Sequence, residues 1–252
     1  MERARTYAMP DSKHEPPQPS MRELLKYSYF PPADQADEAG LLAAGGFLNP
    51  DWLLDAYIHG IFPWPSEEFE PMLWWSVPER SILEFDRFHI SRRLRQTLRS
   101  GRFQVTLDRA FRQVISYCAS VPRPHEEGTW IRPDMVEAYC EFHRAGYAHS
   151  LEVWHHNELA GGIYGVAIGG FFAGESMFHL QTDASKVALA WLVRHLQAQG
   201  FTLFDVQIEN PHTAQFHLTT ISREEYIQRL EAAVLQEGVS FGTEIQWKRE
   251  WF

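Results

Sequence analysis

Ser150-Leu151-Glu152-Val153-Trp154, the polar turn His155-His156-Asn157-Glu158, and Gly161-Gly162-Ile163-Tyr164-Gly165-Val166-Ala167 decide the fold. Two runs that suit a pleated, half-buried surface flank a polar tetrapeptide, which predicts an antiparallel hairpin. Phe171 to Ala173 continues the sheet. Asp183 to Gln199 then reads as a helix: Leu189, Leu192, Val193 and Leu196 form one stripe, and Gly200 supplies the stop. Phe201 to Ile208 follows as a buried strand. Strands and helices mixed around a hairpin place the chain in the α+β (mixed α/β) class.

Upstream of the hairpin, Ser81 to Phe85 reads as a strand, and Ser91 can cap a helix reaching about Ser100. Gln104 to Leu107 is a strand and Asp108 to Cys118 a helix. Arg132-Pro133-Asp134 opens a helix to about Ala145, stopped by Gly146. Downstream, Ser222 to Gln236 is a closing helix. Before residue 79 the chain is punctuated differently. Asp51 to His59 is a short helix, and Pro63, Pro65, Pro71 and Pro78 exclude long regular structure. The expected organisation is a flexible tail (1–20), a small N-terminal domain (21–78) and a larger domain (79–252).

The 252 residues suit one large or two small domains. A hydrophobic fraction of 44% excludes wholesale disorder. Nine Trp are many, and some are expected to serve a ligand rather than the core. The net charge of −10 argues against coating a polyanion, while leaving room for a local basic patch. Cys118 and Cys140 make no disulfide scaffold and no CxxC pair. The first twenty residues lack a signal-peptide core, and no run is long enough to span a membrane. A soluble, cytoplasmic protein is the expectation.

Four constellations could carry chemistry. Asp205 and Gln207 sit at i and i+2 of a strand and share a face, sending Val206 and Ile208 to the core. A carboxylate and an amide there are costly unless paired or facing a cleft, although the pattern fits a solvent-facing strand end equally well. Glu175 in Gly174-Glu175-Ser176-Met177-Phe178 can orient an amine; it can equally cap a segment or pair with an arginine. Trp64, Trp74, Trp75 and Trp130 can stack on a nucleobase, worth roughly 1–3 kcal/mol each, or simply pack. Arg92, Arg93, Arg95 and Arg99 lie on the 91–100 helix. Arg92, Arg95 and Arg99 share a face opposite Leu94 and Leu98. Such a face suits phosphates, and a solvated helix face is the plainer alternative. No HExxH, zinc spacing, GxGxxG, P-loop or GxSxG elbow appears, so neither metal nor cofactor is expected.

Taken together, these segments resemble the leucyl/phenylalanyl-tRNA–protein transferase family. The matching strings are Gly40-Leu41-Leu42 with Gly45-Gly46, Gly60-Ile61-Phe62-Pro63-Trp64, Leu73-Trp74-Trp75-Ser76 and His89-Ile90-Ser91-Arg92. Glu127-Gly128-Thr129-Trp130-Ile131, His149 to Trp154, Gly161 to Val166 and Gly174 to Phe178 follow. Ala184-Ser185-Lys186, Asp205-Val206-Gln207 and His212-Thr213 complete the set. The match runs in order from about Phe30 to Tyr226. Two departures stand out. The stretch before about residue 25 has no counterpart, and Ala214-Gln215-Phe216-His217-Leu218 replaces the family's Leu-Gly turn.

The resemblance implies an acetyltransferase-like (GNAT-type) larger domain that uses neither acetyl-CoA nor metal. It implies transfer of Leu or Phe, sometimes Met, from aminoacyl-tRNA to proteins with N-terminal Arg or Lys, marking them for N-end-rule degradation. Gln207 then contacts the attacking amine, and Asp205 polarises Gln207 through a hydrogen bond. Glu175 helps hold an amino group, and Trp64 and Trp130 frame the terminal adenosine and aminoacyl group. Met177, Phe178 and Ser176 are the expected lining of the aminoacyl pocket. The arginine face takes acceptor-stem phosphates. No membrane partner is expected, and a monomer is the default. Two other readings compete: a GNAT acetyltransferase, for which no convincing pyrophosphate-binding Gly loop is found, and a non-catalytic module that binds tRNA ends or basic N-termini.

Overall fold

The computed structural model describes residues 19–66, 71–122, 129–209, 216–245 and 251–252. The tail through residue 18, Glu126-Glu127-Gly128 and His212 to Gln215 lie outside them.

The N-terminal part contains α1 (Met21–Leu24), β1 (Leu41–Ala44), α2 (Pro50–Ile58), β2 (Phe62–Pro63) and β3 (Leu73–Trp75). Asn49 caps α2 by accepting from Trp52 N, and Pro50 occupies the first turn, where no amide is needed. The three strands form a small antiparallel sheet, ordered β1-β3-β2.

The larger part begins with β4 (Glu79–Leu83), α3 (Arg92–Arg99), β5 (Gln104–Leu107), α4 (Phe111–Ser120) and α5 (Pro133–Arg144). It continues through β6 (Ala148–His155), β7 (Glu158–Ile168), β8 (Phe171–His179), α6 (Ala184–Gln199), β9 (Leu203–Gln207), β10 (Thr219–Ser222) and α7 (Arg223–Val234). Its seven strands run in the order β10-β4-β9-β8-β7-β6-β5. Every neighbouring pair is antiparallel except β8 and β9, which α6 connects as a crossover. The fold is therefore mixed α/β, with the expected hairpin at β6–β7. His156 and Asn157 take left-handed backbone at its two-residue turn, as such hairpins require.

One face of the large sheet carries a core with residues from α2, α4, α5 and α7, including Tyr57, Val114, Tyr139, Tyr164 and Tyr226. This core is continuous with Phe30, Leu53 and Trp74 of the N-terminal part. The opposite face carries a second core under α3 and α6, with Leu94, Phe172, Leu192 and Phe204. Helix α6 is buried nearly all round, not only along its Leu189/Leu196 stripe. Fully burying such an aliphatic side chain is worth about 1.5–3 kcal/mol.

Two β-bulges distinguish the centre of the sheet. Gly165 faces Gly174 while Tyr164 faces Ser176, so Glu175 is the extra residue of β8. Ile82 pairs with Asp205 and Ser81 with Gln207, so Val206 is the extra residue of β9. Gly165 is required here: a Cβ on it would lie 2.2 Å from the Ala173 carbonyl oxygen.

Candidate active site

The two bulges lie on adjacent strands and turn Glu175 and Gln207 toward each other. Phe171 and Ala173 of β8 belong to the first core and Phe172 to the second. Beyond Glu175 the alternation has slipped by one, with Phe178 in the first core and Met177 against the second. The slip leaves Glu175 facing the first core's tyrosines, while Ser176 pairs across the strand with Tyr164.

Glu175 sits half-buried in a polar network. The side-chain amide of Gln207 donates to its Oε1 at 2.9 Å. The Tyr139 hydroxyl donates to its Oε2 at 3.3 Å and lies 2.5 Å from the Tyr57 hydroxyl. Burial raises the Glu175 carboxyl to about 7, assisted by the nearby Asp205 charge and opposed by the two tyrosine hydroxyls and Arg80. Burial first, then the Glu175 charge, holds the Tyr57 and Tyr139 hydroxyls well above their ordinary range, so both stay protonated donors. A carboxyl near neutrality can take up or release a proton at working pH.

Asp205 is fully buried beside this network. Its Oδ1 accepts from Arg80 Nε at 2.9 Å and from the Gln207 backbone N–H at 2.8 Å. Its Oδ2 accepts from Arg80 NH2 at 2.7 Å and from the Tyr226 hydroxyl at 2.8 Å. The Arg80 guanidinium also stacks 4.5 Å from the Phe62 ring centre and 4.4 Å from that of Tyr226. Burial works against its charge, but Asp205 and Tyr226 more than offset that and hold it above its ordinary value.

The geometry departs from expectation at three points. Asp205 does not hydrogen-bond the side-chain amide of Gln207; it takes the backbone N–H, and the amide turns to Glu175. Ile208 does not enter the core but is 39% exposed, because the Val206 bulge and the left-handed Gln207 (φ +58°) turn the strand outward. Met177 and Phe178 do not line one pocket. They lie on opposite faces of β8, with Phe178 buried against Tyr117 at 4.9 Å between ring centres.

Trp64 follows β2 with 40% exposure, and its ring lies 6.5 Å from Phe62, the residue beneath Arg80. Trp130 is half-buried against the first core, shortly before α5, the helix that carries Tyr139. Among the described residues no ring contact joins Trp130 to Trp64. On α3, Arg92, Arg93 and Arg95 are exposed and Leu94 is buried beneath them. Arg99 instead donates from Nε to the Phe252 main-chain oxygen at 2.6 Å.

Sequence reasoning missed Arg80, Tyr226, Tyr57 and Tyr139 as members of this site. The available signal was alternation: Arg80 and Ile82 share one face of β4, so an arginine follows the core-facing register of a strand. One further cluster has metal-ligand chemistry, Asp108, His143 and His149. His149 Nδ1 is 2.7 Å from Asp108 Oδ2, its Nε2 3.1 Å from Gly146 O, and His143 Nδ1 2.7 Å from Ala148 O. The cluster is thus linked by its own hydrogen bonds and backbone carbonyls.

Comparison with known proteins gives the family. The family model described as leucyl/phenylalanyl-tRNA protein transferase matches residues 82–231, and that of the family's N-terminal domain matches 46–78. The chain belongs to the leucyl/phenylalanyl-tRNA protein transferase family. Relatives bearing that name include one from Syntrophotalea carbinolica, 48% identical over 84% of this chain and 91% of its own. Another, from Solidesulfovibrio magneticus, is 50% identical over 86% of this chain and 87% of its own. Among solved structures, L-PGS from Bacillus licheniformis is similar over 61% of this chain and 56% of its own, at 13% identity and a TM-score of 0.36. The transferase family's two matched segments meet at the site: Tyr57 comes from the first, and Tyr139, Glu175, Asp205, Gln207 and Tyr226 from the second. No described helix is long and apolar enough to cross a membrane.

Proposed function

We propose that this chain carries the family's activity, moving Leu or Phe, and Met to a lesser degree, from aminoacyl-tRNA to an N-terminal Arg or Lys of an acceptor protein. The observation that carries the reading is the Glu175–Gln207 pair, built on two adjacent bulges within the matched segment. The product marks the acceptor for N-end-rule degradation, and the setting is a cytoplasmic monomer.

The chemistry asks little of the protein. An aminoacyl ester is already activated, and a neutral amine attacks its carbonyl carbon. The new C–N bond forms, the ester C–O bond breaks, and the amine's proton ends on the departing ribose oxygen. Alignment alone supplies up to about 7–11 kcal/mol in favourable cases. In this reading Gln207 presents its amide oxygen to the attacking amine while its Nε2 stays on Glu175. Glu175 holds an amino group through its carboxylate. The exposed Trp64 ring and the Trp130 ring frame the terminal adenosine and aminoacyl group. Ser176 borders the aminoacyl group beside Glu175, and Phe178 supports that side of β8 from within the first core. Arg92, Arg93 and Arg95 take tRNA phosphates without reading sequence, and Arg99 contributes less because Phe252 engages it. The acidic remainder of the chain favours a cationic acceptor terminus.

The test is incubation with Leu-tRNA and a peptide beginning with Arg, without acetyl-CoA, followed by mass spectrometry. The peptide is expected to gain one leucyl residue, and an N-acetylated copy to gain none. Absence of transfer to the free peptide contradicts the reading.

A further inference from the structure

The Asp205 carboxylate accepts four hydrogen bonds, two on each oxygen: Arg80 Nε and Gln207 N on Oδ1, Arg80 NH2 and Tyr226 OH on Oδ2. A carboxylate offers about four lone-pair sites, so its acceptor capacity is filled. Two of the donors come from one guanidinium in the side-by-side fork that suits a carboxylate. The whole assembly is sealed: Asp205 is 0% and Arg80 1% exposed.

From this we infer that Asp205 is a positioning residue rather than the group that handles the proton, and that Arg80 and Tyr226 are positioning residues acting through it. The inference rests on the transferase reading of the same site. The chain of action can be followed atom by atom. Arg80 and Tyr226 fix the carboxylate. Its Oδ1 then holds the backbone N–H of Gln207, the residue just past the Val206 bulge. Gln207 has left-handed backbone (φ +58°), a conformation unfavourable for a residue with a side chain and kept only where surroundings impose it. The imposed turn aims the Gln207 amide at Glu175 Oε1. Lysine at position 80 would keep the charge and lose the fork, and phenylalanine at position 226 would keep the ring and lose one donor. Both test position rather than charge or packing.

The experiment measures kcat and KM for Leu transfer to an Arg-peptide across neutral pH, in wild type, Arg80→Lys and Tyr226→Phe. It also measures hydrogen exchange at the Gln207 amide in the same three proteins, which needs no activity. Each variant is expected to lower kcat about tenfold, the scale of one hydrogen bond to a charged group, with KM for aminoacyl-tRNA unchanged. The ascending limb of the pH profile stays where it is in wild type, and the Gln207 amide exchanges faster. A limb that moves with Tyr226→Phe, which leaves the Arg80 charge beside Glu175 in place, would make Asp205 a titrating participant and overturn the inference. Unchanged Gln207 exchange in both variants overturns it as well. Lack of transfer by wild type defeats the functional reading alone, since exchange still decides whether the clamp holds Gln207.

Discussion

The Gln207 side-chain amide donates to Glu175 Oε1 at 2.9 Å, across two neighbouring strands that each carry one extra residue at that point. The orientation of the amide follows from that bond when Glu175 is charged, since its oxygen turned toward the carboxylate would set two acceptors face to face. The pair therefore presents the amide oxygen outward as an acceptor for an amine.

A pH dependence follows from Glu175. Its carboxyl lies near 7, and the account uses the charged form, so transfer rises with pH through about 7. Glu175→Gln removes that limb and leaves only the ionisation of the attacking amine, at roughly 7.7–8.0. Rates measured across this range in both proteins check it.

The same carboxyl affects stability in a defined direction. Its folded value lies above the ordinary 4.5, so the folded state binds more protons between about 4.5 and 7. Its contribution is full below 4.5 and is lost as pH rises through about 7. Denaturant titrations at both ends of that window should show a decline that Glu175→Gln reduces.

Removing the charge opposite Asp205 should be severe. Arg80→Met leaves a buried carboxylate without its partner, which costs about 3–5 kcal/mol. Thermal or urea unfolding reads the loss directly, and a loss below about 1 kcal/mol would be inconsistent with the buried pair.

The bulge in β8 makes its own prediction. Gly165→Ala puts a Cβ against the Ala173 carbonyl and the Phe172 ring, destabilising by about 1–3 kcal/mol. Because relief requires β7 to shift against β8 beside Glu175, transfer should fall more than stability alone explains. Assays well below the melting temperature separate the two effects.

On α3, Arg95 and Arg99 are both exposed, and substitution should distinguish them by the bond that Arg99 makes. Arg95→Ala should weaken tRNA binding and reduce the slope of log K against log salt by about 1. Arg99→Ala should change that slope less, because its guanidinium already serves the Phe252 oxygen. Equal slopes for the two variants would contradict this assignment.

The hairpin β6–β7, the helix α6 and the pairing of Asp205 with Gln207 on one face were legible in the sequence, because each rests on local periodicity or turn chemistry. Strand β8 was legible only from Phe171 to Ala173, and pairing with β7 carries it on through Gly174, Glu175 and Ser176. Neither bulge could be read, since a bulge is a relation between two strands. Arg80 was missed because the sequence pattern starts this strand at Ser81, whereas it runs from Glu79 to Leu83. Its partner Asp205 lies 125 residues away, a separation at which local pattern carries no information. The same holds for Tyr57 and Tyr139, which lie on helices far apart in sequence and which the fold brings together at Glu175.

In the proposed reading, transfer takes place where Gln207 and Glu175 meet. The most direct measurement is the single-turnover rate of Leu transfer from bound Leu-tRNA to an Arg-peptide in wild type and Gln207→Ala, with tRNA affinity measured alongside. The account predicts a fall of at least about tenfold in rate, the equivalent of one well-placed hydrogen bond, with affinity unchanged. An unchanged rate, or a loss traced entirely to weaker tRNA binding, would contradict it.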